Sequence, residues 1–131
     1  MATVVTKDRV AFADTDASGR IHFMLAMRYF EIGEREALRV LGIKAGDPSR
    51  GGYEIPRVHI ECNYHHALYY DDEIDIHATC SVIKTSSLTW DIKVYCREEL
   101  CISGNMVTVL LDPETHESMK VPEDWREKLL A

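Results

Sequence analysis

No stretch of this sequence approaches the roughly 20 consecutive apolar residues that a membrane-spanning helix needs. Its opening residues, MATVVTKDRV, lack the apolar core behind a basic segment that marks a secretory leader. A cytoplasmic location with no membrane partner is the expectation. Basic residues are also in short supply: 15 Lys and Arg stand against 22 Asp and Glu, a net charge of −7. Counterion release from a nucleic acid needs a basic surface, so nucleic acid is not the expected partner. A small anionic ligand needs only a few local cations and stays open. The four cysteines (Cys62, Cys80, Cys96, Cys101) form no CxxC pair and fall in strand-like runs, where buried thiols are expected. Cys96 and Cys101 flank a predicted hairpin, which leaves a disulfide there as the less favoured alternative. GxSxG, Walker and GxGxxG motifs are missing, which argues against a serine hydrolase, an NTPase and a dinucleotide enzyme. Repeats and low-complexity runs are absent too, and the one stretch rich in glycine, serine and proline is a single connection at residues 43–56.

What is present reads as one domain spanning residues 1–131, with 46% hydrophobic and 28% charged residues. Residues 3–13 alternate loosely, with Val4, Val10 and Phe12 on the apolar side. Phe23, Met27, Phe30, Ala37, Leu38 and Leu41 then recur at three or four residues, which predicts a helix from about Met24 to Leu41 that stops at Gly42. Glu31 and Arg35 are spaced to pair on its outer face. Four strand-like segments follow the long connection. Val58, Ile60, Cys62 and Tyr64 alternate with polar neighbours; so do Ile74, Ile76, Ala78, Cys80 and Val82, and again Leu88, Trp90, Ile92, Val94 and Cys96. Residues 101–111 alternate less, as an inner strand does. Strand, helix and four antiparallel strands make an α+β protein whose single helix covers only one face of a five-stranded sheet.

The stretch DTDASGRIHF, residues 14–23, places two carboxylates just ahead of that helix. Asp14, Asp16 or Ser18 could cap the helix by accepting from its free N–H groups. Yet the periodic helix begins about seven residues after Asp16, and Gly19 interrupts the path. A loop is left in which a carboxylate can face a helix N-terminus without capping it. Such a terminus polarises a carbonyl or holds a developing oxyanion, and a carboxylate opposite it is the pairing that hydrolysis of an acyl compound requires.

With these residues in place, FADTDASGRIHFMLAMRYFEIGEREAL resembles the start of the hot-dog-fold acyl-coenzyme A thioesterases of the 4-hydroxybenzoyl-coenzyme A thioesterase type. Asp16, Gly19, Tyr29, Phe30 and Glu31 stand at that family's spacing. YYDDEIDI, IKTSSLTWDIKV and VPEDWREKL extend the likeness over the chain. The resemblance implies a five-stranded antiparallel sheet wrapped around one long helix, and hydrolysis of an acyl-coenzyme A or acyl carrier protein thioester without a cofactor. It makes Asp16 the catalytic carboxylate, as nucleophile or general base, and the backbone N–H of Phe23 the donor to the thioester carbonyl. It also implies a homodimer or a dimer-of-dimers tetramer, with the active site between subunits. Other members of the fold release polyketides or dehydrate, and a non-catalytic thioester binder is the remaining alternative.

Gly19, His22, Met27, Tyr64 and His66 are the expected lining of the substrate site. His22 and Phe23 replace two Asn, or an aromatic and His, of many relatives, which leaves His22 either to take over part of that role or to stand as a solvated loop residue. Glu34 replaces a common Arg, and Gly33 permits the close approach of another backbone. Asp14, if near Asp16, is expected to raise its pKa. His66 is expected on the apolar side with Cys62 and Tyr64. His59, Glu61 and His65 share one strand face at 6–7 Å intervals, about the period of alternate strand residues and too wide for one metal ion, so no metal is expected. For the coenzyme A phosphates, Lys84 with Thr85 and Ser86 is the first candidate, and Arg57 and Arg20 are held in reserve. Phe23, Met24 and Met27 suit aryl and medium aliphatic acyl groups alike.

Overall fold

The computed structural model describes residues 1–45, 49 and 52–131. In chain order it contains β1 (Thr3–Arg9), short 3-10 turns at Phe12–Asp14 and Phe23–Leu25, α1 (Ala26–Val40), β2 (Arg57–Tyr64), β3 (Glu73–Ile83), β4 (Ser87–Cys96), β5 (Glu99–Val109) and α2 (Glu123–Leu130). The sheet is antiparallel throughout, in the order β1-β3-β4-β5-β2. This is the expected architecture, with residues 101–109 lying inside the sheet between β4 and β2. Part of the 43–56 connection lies outside the described residues.

A two-residue turn sets the β4–β5 register. Arg97 and Glu98 both take left-handed backbone, φ 51 and 66°, which matches the twist of the β4–β5 hairpin. Cys96 and Cys101 beside this turn are unpaired, and burial pushes both thiols up, so the disulfide alternative is not realised.

The helix lies over β1, β3 and β4. Its buried face is Ala26, Tyr29, Phe30, Gly33 and Ala37, flanked by Ile32, Glu34 and Leu38. That corrects the predicted stripe, because Phe23 is 66% exposed and Met27 and Leu41 are half-buried. Phe23 precedes α1 in the 3-10 turn, where the three-residue period rotates its ring off the core-facing stripe. Gly33 is needed inside the chain: a Cβ there would stand 3.0 Å from Ile76 Cγ2 and 3.3 Å from Ile92 Cδ1. The missing side chain lets α1 settle on its own sheet and offers nothing to a second copy, contrary to expectation. Gly104 does the same on β5, where a Cβ would meet Glu61 O at 1.9 Å and the Phe30 ring at 2.9 Å. Arg35 pairs with Glu36 at 3.2 Å rather than with Glu31.

Cover by one helix leaves β2 bare. Val58, Ile60 and Tyr64 alternate as expected of a half-buried strand, yet they are 61, 39 and 50% exposed. The apolar side of this edge strand is, among the described residues, covered at Cys62 but largely open at Val58, Ile60 and Tyr64, a feature edge strands normally avoid. Among the described residues no helix is long and apolar enough to cross a membrane.

Candidate active site

Residues 14–22 form a miniature hairpin. Thr15 bridges Ile21, Asp16 N–H donates to Arg20 O at 2.9 Å, and His22 N–H donates to Asp14 O at 2.7 Å. Gly19, at φ 84°, closes the turn and gives its N–H to Asp16 O at 3.0 Å. The hairpin is tied to the crossover before β3 by Ile21 N–H to Leu68 O and by a bridge from Arg20 to Tyr69.

The two aspartates separate completely. Asp14 is 2% exposed, and its Oδ2 accepts from Ala11 N–H at 2.9 Å, Tyr29 Oη–H at 3.1 Å and Arg28 Nη1 at 3.3 Å. Burial first, and then the Asp14 charge, raises the Tyr29 phenol well above its usual value. Asp14 is thus an anchor held by Arg28 and Tyr29, a pairing that sequence reasoning did not assign. Asp16 is fully exposed. Its Oδ1 accepts from the Ser18 hydroxyl at 2.5 Å and the Ser18 N–H at 2.8 Å. Those two bonds hold its carboxyl below the ordinary aspartate range, with smaller pulls from His22 and Arg20. The expected upward push from Asp14 is overturned, because the Asp14 charge is spent on Arg28 and Tyr29.

Phe23 opens the helical segment. The Met24 N–H is taken by His22 Nδ1 at 3.2 Å, so His22 is the cap. The Phe23 N–H carries no hydrogen bond among the described residues, while its carbonyl accepts from the Tyr64 hydroxyl. The His22 ring stacks on the Phe23 ring with centroids 4.8 Å apart. Burial pushes the Tyr64 phenol up to about 12, with Cys62 adding to the shift. An ionised, solvent-facing carboxylate therefore sits in the turn of the hairpin, and a free helix-start N–H lies just past its end. Such a pair can attack, or activate water against, a carbonyl polarised by the N–H.

Other expected residues fall elsewhere. His66 lies just past β2, exposed, with Nδ1 3.2 Å from Glu99. The chain leaves the strand at Tyr64, so the two-residue period that put His66 on the apolar side ends before it. Lys84, Thr85 and Ser86 form the β3–β4 turn, where Arg126 and Val121 from the C-terminal segment take the Lys84 and Thr85 carbonyls. Eleven residues of β3 separate that turn from the end where Asp16 lies, about 35 Å at strand rise. Within one chain Lys84, Thr85 and Ser86 are therefore apart from Asp16, whereas Arg20 is beside it. A third unassigned group is Glu34, 1% exposed and paired with Arg57. Its signal was the spacing Phe30, Glu34, Leu38, which sets a carboxylate on the apolar face.

Residues 10–129 match the family described as the Thioesterase-like superfamily. A 1,4-dihydroxy-2-naphthoyl-CoA hydrolase of Prochlorococcus marinus is 32% identical over 117 residues, 83% of this chain and 76% of that one. A solved hypothetical protein from Aquifex aeolicus superposes with a TM-score of 0.88 at 25% identity, covering 96% of this chain and 98% of its own. A 1,4-dihydroxy-2-naphthoyl-CoA thioesterase from Synechocystis superposes with a TM-score of 0.89 at 17% identity, covering 98 and 96%. The fold is the hot-dog fold. The chain belongs to the Thioesterase-like superfamily.

The Asp16 geometry makes a titration prediction. Hydrogen bonds to the charged form lower a carboxyl pKa, so removing one raises it. Ser18→Ala moves the Asp16 titration upward, toward the unperturbed value of about 3.9, when followed by carbon-13 NMR of the side-chain carboxyl. An unmoved titration contradicts the Ser18 bond as the cause.

Proposed function

We propose that the chain is an acyl-CoA thioesterase in which Asp16 is the catalytic carboxylate and the Phe23 N–H stabilises the developing oxyanion. The observation that carries this is the free Phe23 N–H at the helix start, immediately after the hairpin that holds an exposed carboxylate ionised at neutral pH. In one route Asp16 Oδ2 attacks the thioester carbonyl, expels the thiolate and leaves an anhydride that water opens. In the other it takes a proton from water as the water attacks. Both need Asp16 as the anion, the form an exposed aspartate takes at neutral pH. His22 and Tyr64 act on the Phe23 peptide from either side, one by capping the next N–H and the other by holding its carbonyl.

The functional unit in this reading is a dimer. Val58, Ile60 and Tyr64 on β2, with Phe23 and Met24 at the helix start, form an apolar area that a second β2 would cover while extending the sheet. A two-fold axis through paired β2 edges reverses the second sheet. The second copy's β3–β4 turn then stands at the same end as this chain's Asp16, so Lys84, with Thr85 and Ser86, reaches the coenzyme A phosphates from across the interface.

Purified protein assayed with a panel of acyl-coenzyme A and acyl carrier protein thioesters and a thiol reagent tests the activity. Asp16→Asn is expected to fold normally and to lose about 10²-fold or more in turnover. Turnover within a few-fold of wild type removes Asp16 from the reaction, and a protein that binds thioesters without releasing thiol is the non-catalytic alternative. Light scattering at micromolar concentration is expected to give a dimer or a multiple of it, and an active monomer contradicts the shared site. Lys84→Ala is expected to raise KM for acyl-coenzyme A and to leave acyl-pantetheine unaffected; equal effects on both place the phosphates elsewhere.

A further inference from the structure

Phe23, Met24 and Leu25 present the first N–H groups of the helical segment, and His22 takes the last two. Its ring Nδ1 accepts from Met24 N–H at 3.2 Å, and its carbonyl accepts from Leu25 N–H at 2.8 Å. A capping side chain reaches the second or third N–H of a helix and not the first, so the Phe23 N–H is left over. The peptide that carries this N–H has the His22 carbonyl at its other end. The next peptide is pinned twice, by His22 Nδ1 on the Met24 N–H and by the Tyr64 hydroxyl on the Phe23 carbonyl. The His22 backbone N–H is fixed on Asp14 O at 2.7 Å, and its half-buried ring stacks on Phe23 with planes 24° apart. Ser, Thr, Asp and Asn are the ordinary caps. Histidine differs from them in changing charge between about pH 5 and 8. Nδ1 accepts only while it carries no proton. A proton there turns the acceptor into a donor facing the Met24 N–H, and sets a positive charge at the positive end of the helix.

We propose that His22 positions the Phe23 N–H and that the site works only with the His22 ring neutral, so that mild acid switches the enzyme off through His22. This rests on the thioesterase reading and adds the regulation of that site. Asp16 does not fail first, because the two Ser18 bonds hold its carboxyl below the ordinary aspartate range. On the hairpin, His22 and Arg20 both act on the Asp16 carboxylate, and Arg20 also bonds the Tyr69 side chain of the crossover. On α1 the charged and titratable neighbours are Arg28 and Tyr29, both turned onto Asp14. On β2 the neighbour is Tyr64, whose hydroxyl holds the Phe23 carbonyl. Aspartate, arginine and tyrosine are not residue types that change charge between about pH 5 and 8, so a transition there belongs to histidine.

The experiment follows kcat and KM over about pH 4.5 to 9, on the most rapidly cleaved ester of the acyl-coenzyme A panel. Wild type is expected to lose kcat/KM on an acid limb between about pH 5 and 8. His22→Asn keeps a side-chain oxygen for the Met24 N–H, and is expected to move the limb down into the carboxylate range, below about pH 5. His22→Ala removes the acceptor. It is expected to lower kcat about tenfold at about pH 8, part of the roughly 10²-fold cost of losing an oxyanion donor. KM is expected to stay the same, since the donor acts on the developing oxyanion. The Asn variant is expected to recover most of the kcat that the Ala variant loses. Nitrogen-15 NMR of the free protein needs no turnover: the Met24 amide proton is expected to shift as the His22 ring titrates, and to lose that dependence in His22→Asn. A Met24 amide that ignores the ring overturns the cap. An acid limb that stays in place in His22→Asn, or His22→Ala turning over as wild type does, overturns the positioning role. A protein inactive on every thioester at every pH, with its Met24 amide still following the ring, overturns the thioesterase reading and leaves the cap standing.

Discussion

The buried carboxylate of Asp14 is the interaction on which the rest of the hairpin and the helix start depend. It binds the backbone leaving β1 through Ala11, and α1 through Arg28 and Tyr29, while its own carbonyl holds His22. An anion removed from water in this way is stable only while its donors surround it, and loss of such a set costs on the order of 3 kcal/mol. The result is a fixed angle between strand and helix, and with it a fixed position for the Phe23 N–H. Asp16, Ser18 and Gly19 hang from that frame as a short exposed turn.

A second constraint is the ratio of one helix to five strands. α1 can cover β1, β3 and β4, and it reaches them closely because Gly33 has no side chain to hold it off. What it leaves uncovered is β2, whose apolar residues face solvent in the isolated chain. At the far half of the helix Glu34 is buried with one oxygen on Arg57 and, among the described residues, no partner for the other.

Much of the architecture was legible because strands with a wet face and a dry face alternate openly: Ile74 to Val82 and Leu88 to Cys96 could be read directly. The helix was legible in extent but not in rotation. Phe23 and Met27 share its spacing, but Phe23 sits in a 3-10 turn that precedes the α-helical register, so its ring leaves the apolar stripe. The division between Asp14 and Asp16 came from the family resemblance and not from local pattern, since two residues of the same type differ only in what surrounds them, and the Arg28 and Tyr29 donors to Asp14 come from the next element. His66 misled because alternation was carried past the end of β2. Glu34 was visible as a charge in an apolar stripe, but its partner Arg57 lies beyond a long connection whose path no local pattern specifies.

Placing the anchor and the assigned chemistry two residues apart on one turn has a consequence for how such a chain changes through descent. Exchange of Asp14 endangers the fold and is removed early by selection. Exchange of Asp16, exposed and bonded only within its own turn, leaves a well-folded protein with its free N–H intact. From this starting point an enzyme can drift into a sensor or carrier of the same ligands by a single substitution. The first aspartate of the DTD triplet would then persist in descendants that had long since lost the second.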